Sequence, residues 1–313
     1  MKKLALFLVA AALAATQARA ADEFISADDA KALAGKPNVR FVFADSEKDF
    51  QNGHVPGSVV AFAHDLNYLD DVKACGGLPM CEPRAAKFIG DLGIDAATDV
   101  VVYDLGPGVS SSGTWFYLKL YGVKNVHILD GGLPTWKSKG GAVETGAPAK
   151  VAAKAFTPVV QREMYATLDE VKKATGDGAH YLLLDARHNL DEFTGKTLQS
   201  SLASPGKELT VKRGGAIPGA VFSPFTKYAG NKGGEAGKPT LKEPAELQKQ
   251  LEKLKKNGYD PSKTVISYCH VGLGRGSFQY LALKQAGHQN VKVYVGSWDE
   301  WGNDPSLPVA AQP

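Results

Sequence analysis

The chain has 313 residues, of which 44% are hydrophobic, with 36 Lys and Arg against 33 Asp and Glu. This near balance of charge argues against nucleic acid or an acidic membrane surface as a partner. The length exceeds one typical hydrophobic core and predicts two domains. No apolar stretch beyond the N-terminal region is long enough to cross a bilayer, so we expect no membrane span.

The N-terminus has the three parts of a secretory signal peptide. Lys2 and Lys3 form a short positive region, residues 4–15 are apolar, and Ala18-Arg19-Ala20 is a small-x-small cleavage pattern. The apolar part is too short for a membrane span. We therefore expect residues 1–20 to be removed by a cut after Ala20, and the mature chain to be periplasmic or secreted.

Residues 21–140 are predicted to form the first domain. Ser26 precedes a helical pattern and has the signature of an N-cap. Apolar strand patterns at 41–44, 100–103 and 126–129 then alternate with helical runs. Such alternation predicts an α/β fold, a parallel sheet with helices on both faces. Ligands of such sheets bind beyond the carboxyl ends of the strands, where Asp45 and Asp104 are expected.

The three cysteines divide into a pair and a single residue. Cys75 and Cys81 enclose a short loop in a chain that we expect to be exported, which predicts a disulfide between them. Two unpaired surface thiols are the alternative. Cys269 is then left over, and an odd cysteine in an exported protein indicates a reactive thiol.

Residues 161–313 repeat the first domain after a linker at 141–160, which is rich in Ala, Lys, Gly and Pro. Trp136 lies 32 residues after Asp104, and Trp301 lies 32 residues after Cys269. The turn at 54–59 likewise matches the turn at 216–221. We infer a duplicated α/β unit in which Cys269 and Asp104 occupy equivalent positions.

Further features belong to the second copy alone. A Thr167 N-cap opens the copy, and Asp185 ends the strand that corresponds to the one before Asp45. Polar stretches at 194–215 and 230–239 are expected to be loops around the site, although plain surface loops are an equal alternative for the second stretch.

Cys269 ends an apolar strand pattern, and a glycine-containing turn leads from it into a helical pattern from Phe278. The backbone N–H groups of such a turn and of a helix N-terminus favour a thiolate and hold an anion beside it. The predicted nucleophile is therefore Cys269. The turn that would bind the anion consists of His270, Val271, Gly272, Leu273 and Gly274.

Two arginines are predicted to bind an anionic substrate, because the guanidinium group suits oxyanions. Arg275 follows the turn directly, and the alternative is a solvent-exposed arginine at the helix start. Arg187 lies two residues after Asp185, and the alternative is a salt bridge with Asp191 or Glu192. His270 either supports the thiolate or points away from it. Trp298 and Trp301 are predicted to serve packing.

These motifs resemble those of tandem-domain rhodaneses, the thiosulfate or 3-mercaptopyruvate sulfurtransferase family. The matching segments are the turns at 54–58 and 217–220, the strand end 185–187, the Cys269 loop and residues 296–301. The resemblance implies two rhodanese-like domains, with an inactive first domain because Asp104 replaces the nucleophile. It also implies that Cys269 carries sulfur as a persulfide from a small anionic donor to cyanide, a thiol or a protein, and that Arg187 is the family's anion-binding arginine.

No metal or organic cofactor is expected, because the chain lacks metal-ligand spacings and a dinucleotide fingerprint. Two other functions stay open. The spacing from Cys269 to Arg275 also fits the Cys-x5-Arg loop of cysteine phosphatases, although Tyr268 stands where those enzymes have histidine. A non-catalytic sulfur carrier is the third reading. The sequence does not decide whether Arg275 closes a seven-residue loop or starts the helix after a six-residue one.

Overall fold

The structure, a computed structural model, describes residues 23–198, 202–204, 207–209 and 211–310. The predicted signal peptide at 1–20 lies outside these residues. None of the described helices is long and apolar enough to span a membrane. The chain folds into two α/β sheets with helices around them, as the sequence predicts.

The first sheet and its helices alternate along residues 24–138. Their bounds, in chain order, are β1 (Phe24–Ile25), α1 (Ala27–Leu33), β2 (Val39–Phe43), α2 (Glu47–Gln51), β3 (Val59–Val60), α3 (Leu69–Ala74), α4 (Glu82–Asp91), β4 (Asp99–Tyr103), α5 (Val109–Leu120), β5 (Val126–Leu129) and α6 (Gly132–Ser138). A 3-10 turn at Ala63–Leu66 precedes α3.

The second sheet and its helices follow the same plan. Their bounds are β6 (Tyr165–Ala166), α7 (Leu168–Gly176), β7 (Tyr181–Asp185), α8 (Leu190–Thr194), β8 (Leu202–Ser204), β9 (Lys207–Leu209), β10 (Val221–Phe222), α9 (Pro244–Leu254), β11 (Thr264–Tyr268), α10 (Arg275–Gln285), β12 (Val291–Tyr294) and α11 (Ser297–Asn303). Strands β8 and β9 form an antiparallel hairpin inside the insertion at 194–215. Three-residue 3-10 turns lie at Arg162–Met164, Phe225–Lys227 and Lys255–Asn257.

The two sheets have the same strand order, which confirms the duplication. The first runs β1-β5-β4-β2-β3 and the second, read from the equivalent edge, runs β6-β12-β11-β7-β10, with every neighbouring pair parallel. Strands β4 and β11 are central in both sheets. Asp104 and Cys269, which directly follow these strands, therefore lie at equivalent carboxyl ends.

Successive residues of the central strands face opposite layers, as the pleat requires. Val102 points into a core shared by both domains, whereas Val101 points into a separate cluster on the outer face of the first sheet. Helices α5 and α10 meet in the shared core, where the rings of Phe116 and Tyr280 lie 5.3 Å apart edge to face. The two helices that follow the Asp104 and Cys269 loops therefore pack against each other between the two domains.

Local hydrogen bonds repeat between the copies. The Ser26 and Thr167 side chains cap α1 and α7, as predicted. The hydroxyl of Tyr103 accepts a hydrogen bond from the Val55 amide, and the hydroxyl of Tyr268 accepts one from the Ile217 amide. Tyr268 thus fixes the neighbouring turn.

The polar stretch at 230–239, for which a loop around the site and a plain surface loop were both open, contacts the loop of the first domain. Gly234 lies so close to Gly106 that a Cβ added to Gly106 would be 2.6 Å from the Gly234 Cα. Thr240, just beyond the stretch, packs in the same way on Gly108 and accepts a hydrogen bond from the Gly131 amide. The stretch therefore covers the loop of the first domain.

Candidate functional site

Cys269 lies at the carboxyl end of β11 and is only 2% exposed. It is the free cysteine among the described residues, since Cys75 and Cys81 are joined by a disulfide. Its amide donates to the Ser297 hydroxyl at 3.1 Å, and its carbonyl accepts from the Trp298 amide at 3.1 Å. These bonds to the start of α11 fix the backbone on both sides of the thiol.

The loop after Cys269 depends on two glycines. Gly272 has φ +70°, and a Cβ there would lie 2.6 Å from the Val295 Cα, so only glycine fits. Gly274 has φ +123° and directly precedes α10. The side chain of Leu273 is fully buried in the core and that of Val271 nearly so. Leu273 and Val271, both predicted to bind the anion, can therefore contact it only through their backbone.

Helix α10 begins at Arg275, three residues before the start predicted from periodicity. Six residues, Cys269 to Gly274, thus lie between strand and helix. Arg275 is the first helical residue, and its half-buried side chain turns toward His270, with Nη1 3.1 Å from Nδ1. The guanidinium carbon also lies 5.9 Å from the centre of the Phe225 ring.

His270 uses both ring nitrogens and is 3% exposed. Nε2 lies 2.9 Å from Glu192 Oε2, and Nδ1 faces Arg275. Burial and the Arg275 and Arg187 charges lower the pKa of His270 to about 4, against the opposing effect of Glu192. The neutral ring therefore donates from Nε2 and accepts at Nδ1.

The sequence suggests Glu192 only as an alternative salt-bridge partner of Arg187. In the structure its carboxylate binds His270 instead. Burial opposes its ionisation, but the hydrogen bond from His270 and the neighbouring positive charges outweigh burial and lower the pKa of Glu192. An Asn189 N-cap starts α8 and places Glu192 in its first turn. A chain distance of 78 residues separates Glu192 from His270, so no local pattern could have paired them.

Arg187 is 1% exposed, and its guanidinium forms a salt bridge with Asp185 rather than with Asp191 or Glu192. Its Nη2 donates to Asp185 Oδ2 and to the Gly215 carbonyl, both at 2.6 Å. The guanidinium also lies 5.0 Å from the Trp298 ring. Its charge acts on the pKa of His270, so Arg187 is part of the electrostatic environment of the site.

The loop of the first domain provides an internal comparison. Asp104 is buried, and its carboxyl oxygens accept hydrogen bonds from the amides of Gly106 at 2.8 Å and Ser111 at 3.0 Å. Burial raises the pKa of Asp104 despite these bonds. The loop amides thus converge on the side chain at the strand end, the position that Cys269 occupies in the second domain.

The first domain also contacts the Cys269 loop, which the sequence did not predict. The Asn67 side-chain amide donates to the carbonyls of Val271 and Val295. Gly113 of α5 packs so closely that a Cβ there would lie 2.8 Å from the Gly274 amide nitrogen. Only the packing of the two domains brings these residues together. Within the described part of the chain, no group of three or more His, Cys, Asp or Glu side chains could hold a metal ion.

The fold and site define a duplicated α/β protein with one cysteine at the end of a central strand, followed by a tight glycine loop and a helix N-terminus. The rhodanese-like domain family matches residues 26–139 and 167–304. A thiosulfate sulfurtransferase of Pseudomonas aeruginosa is 32% identical over 276 residues, which cover 88% of this chain and 92% of that relative. The mitochondrial thiosulfate/3-mercaptopyruvate sulfurtransferase 1 of Arabidopsis thaliana is 29% identical over 84% of this chain and 69% of its own length.

Solved structures share the fold. Escherichia coli SseA, described as a 3-mercaptopyruvate sulfotransferase, superposes with a TM-score of 0.68 at 24% identity, covering 88% of this chain and 98% of that chain. Wild-type EanB gives a TM-score of 0.75 at 21% identity, covering 93% and 70%. The chain belongs to the rhodanese family of tandem-domain sulfurtransferases. It is a sulfurtransferase enzyme.

Proposed function

We propose that Cys269 accepts the outer sulfur of thiosulfate and carries it as a persulfide. The observation that supports this most directly is the equivalence of Cys269 and Asp104. Two loop amides converge on the Asp104 side chain, and Cys269 follows the central strand of the second sheet as Asp104 follows that of the first. Amide donors there would stabilise both a thiolate and a persulfide anion.

In the first step the Cys269 thiolate attacks the outer sulfur of thiosulfate. A bond forms between the two sulfur atoms, and the bond to the sulfite sulfur breaks. Its electron pair leaves with sulfite. The reaction converts a thiolate and a thiosulfate dianion into a persulfide anion and a sulfite dianion, so charge is conserved.

In the second step a nucleophilic acceptor takes the outer sulfur. Cyanide attacks it and leaves as thiocyanate, and the electron pair of the broken sulfur–sulfur bond returns to Cys269 as a thiolate. A small thiol or a protein thiolate would react in the same way. No additional oxidant or reductant is required in either step.

The donor is held by its anionic end in this proposal. Arg275 offers a half-buried guanidinium at the first position of α10, where the helix dipole also favours an anion. The buried charge of Arg187 adds to the field around the site. The name of the P. aeruginosa relative favours thiosulfate, and that of the A. thaliana relative adds 3-mercaptopyruvate as a second candidate donor.

Steady-state turnover of the wild type and of Cys269→Ser tests the proposal. We expect the wild type to form thiocyanate from cyanide and at least one of the two donors, and the variant to form none. Thiocyanate production by Cys269→Ser would refute the nucleophile assignment. Turnover of an aryl phosphate by the wild type would instead support a phosphatase, and sulfur loading without turnover of small acceptors would support a carrier.

We also propose that the protein works after export. The N-terminal sequence has the signal-peptide pattern, and the Cys75–Cys81 disulfide is of the kind that persists in oxidising compartments. The test is to express the full chain in a bacterium and to sequence the N-terminus of the protein in each cell fraction. A cytoplasmic protein that keeps residues 1–20 would contradict export.

A further inference from the structure

Three side chains from separate elements form a continuous chain beside Cys269. Glu192 of α8 accepts from His270 Nε2 at 2.9 Å, and His270 Nδ1 lies 3.1 Å from Arg275 Nη1 of α10. Glu192 is 6% exposed and His270 3% exposed, so water competes little for either bond. Among these three residues only Arg275 is partly open to solvent.

The chemistry of the chain fixes the direction of each hydrogen bond. An arginine is always protonated and can only donate, so His270 Nδ1 must be the acceptor. The other nitrogen then carries the ring proton and donates to the Glu192 carboxylate. A doubly protonated ring would bring an N–H donor against the Arg275 guanidinium, and the low pKa of His270 agrees with the neutral form.

This arrangement occupies both ring nitrogens of His270, so of the two sequence-based alternatives it favours the one in which His270 does not support the thiolate. One N–H group of Arg275 donates to His270, and the guanidinium carbon lies 5.9 Å from the centre of the Phe225 ring. The remaining N–H groups of Arg275 are thus presented in one fixed orientation. A guanidinium held in this way loses less side-chain freedom when it binds an anion.

We propose that Glu192 and His270 are positioning residues, which fix the guanidinium of Arg275 so that it binds the anionic end of the sulfur donor. This inference rests on the proposed function. Neither residue is expected to touch the donor or its sulfur. Replacing either residue should therefore lower the affinity for the donor, and it should do so only when Arg275 is present.

Two substitutions of His270 separate its two bonds. Gln places its amide nitrogen near Nε2, so His270→Gln can still donate to Glu192 but has no acceptor for Arg275. Asn places its oxygen near Nδ1, so His270→Asn keeps the bond to Arg275 and loses the one to Glu192. We expect His270→Gln to weaken donor binding about tenfold and His270→Asn by less than about threefold, in line with the loss of one charge-assisted hydrogen bond.

The first measurement is thiosulfate binding in the Cys269→Ser background, where no chemistry follows, by titration calorimetry. The same substitutions are then combined with Arg275→Ala in a double-mutant cycle. We expect His270→Gln to have no further effect once Arg275 is absent. Equal losses in the presence and absence of Arg275 would overturn the proposal, as would unchanged binding in His270→Gln.

Turnover by otherwise wild-type protein provides the second measurement. We expect His270→Gln to raise KM for the donor about tenfold with kcat changed by less than about twofold, and His270→Asn to restore most of the KM. A loss confined to kcat in both variants would also overturn the positioning role. If wild-type protein fails to turn over either donor, the proposed function fails, whereas the binding cycle still decides the role of His270. Absence of any thiosulfate binding to Cys269→Ser would refute the positioning role itself.

Discussion

Replacing Ser297 separates two opposing contributions to the stability of the Cys269 loop. Ser297 has φ +52°, the only left-handed φ of a non-glycine residue in the described chain, and its counterpart Gly132 has φ +60°. The Ser297 hydroxyl accepts from the Cys269 amide at 3.1 Å and donates to the Tyr294 carbonyl at 2.7 Å. Two buried hydrogen bonds therefore offset an unfavourable backbone conformation next to Cys269.

The magnitudes follow from these contacts. Ser297→Ala keeps the left-handed backbone and leaves a buried N–H and a buried C=O without the hydroxyl, which costs about 1–2 kcal/mol for each group. We therefore expect the free energy of unfolding to fall by about 2–4 kcal/mol. Ser297→Gly loses the same bonds but removes a Cβ whose left-handed conformation costs about 1 kcal/mol. The glycine variant should be the more stable of the two by about that amount.

Urea unfolding of both variants measures the difference, with Ser138→Ala as a control. Ser138 is exposed, so its replacement should change stability by less than about 0.5 kcal/mol. Both Ser297 variants should also lose sulfurtransferase activity, because the Cys269 amide is no longer held. An alanine variant as stable as the wild type, or more stable than the glycine variant, would refute this reasoning.

Three further changes test other parts of the structure. Burial and the charge of Asp104 raise the pKa of Asp45 to about 6, so the ionised carboxylate destabilises the folded state above that pH. Asp45→Asn should therefore raise the free energy of unfolding by about 2 kcal/mol at pH 8 but little at pH 4. An equal gain at both pH values would contradict the raised pKa. Asn67→Ala should lower the rate of sulfur transfer about three- to tenfold, because its bonds to the Val271 and Val295 carbonyls are lost, while thermal unfolding changes little. Unchanged kinetics would exclude a role of the first domain in holding the loop. Replacing Cys75 and Cys81 together by Ser should lower the free energy of unfolding by about 2 kcal/mol, since their disulfide closes a short loop; denaturant curves of equal midpoint would contradict it.

The sequence predicted the parts of this protein that depend on local patterns and on repetition. Equal spacing from Asp104 and Cys269 to the tryptophans predicted two equivalent units, and the two sheets have the same strand order. N-caps at Ser26 and Thr167 were likewise readable, because a cap depends only on residues three positions apart. Cys269 was identifiable from the strand, the glycines and the odd cysteine count together.

The side chains around Cys269 could not be predicted in the same way. Glu192 meets His270 across 78 residues, and Asn67 reaches the loop from the other domain. Such contacts depend on how the sheets and helices pack, which neither periodicity nor a motif encodes. Arg187 illustrates the same limit, because its nearest acid in space is Asp185, the strand-end residue just before it, and not an acid of the following helix.

The central claim is that Cys269 itself carries the transferred sulfur, and intact-mass spectrometry tests it most directly. Wild-type protein and Cys269→Ser are incubated with thiosulfate in the absence of an acceptor, with the Cys75–Cys81 disulfide kept oxidised. We expect the wild type to gain the mass of one sulfur atom and to lose it when cyanide is added, and the variant to gain none. Thiocyanate formation without a sulfur adduct on the wild type, or an equal adduct on Cys269→Ser, would contradict the account.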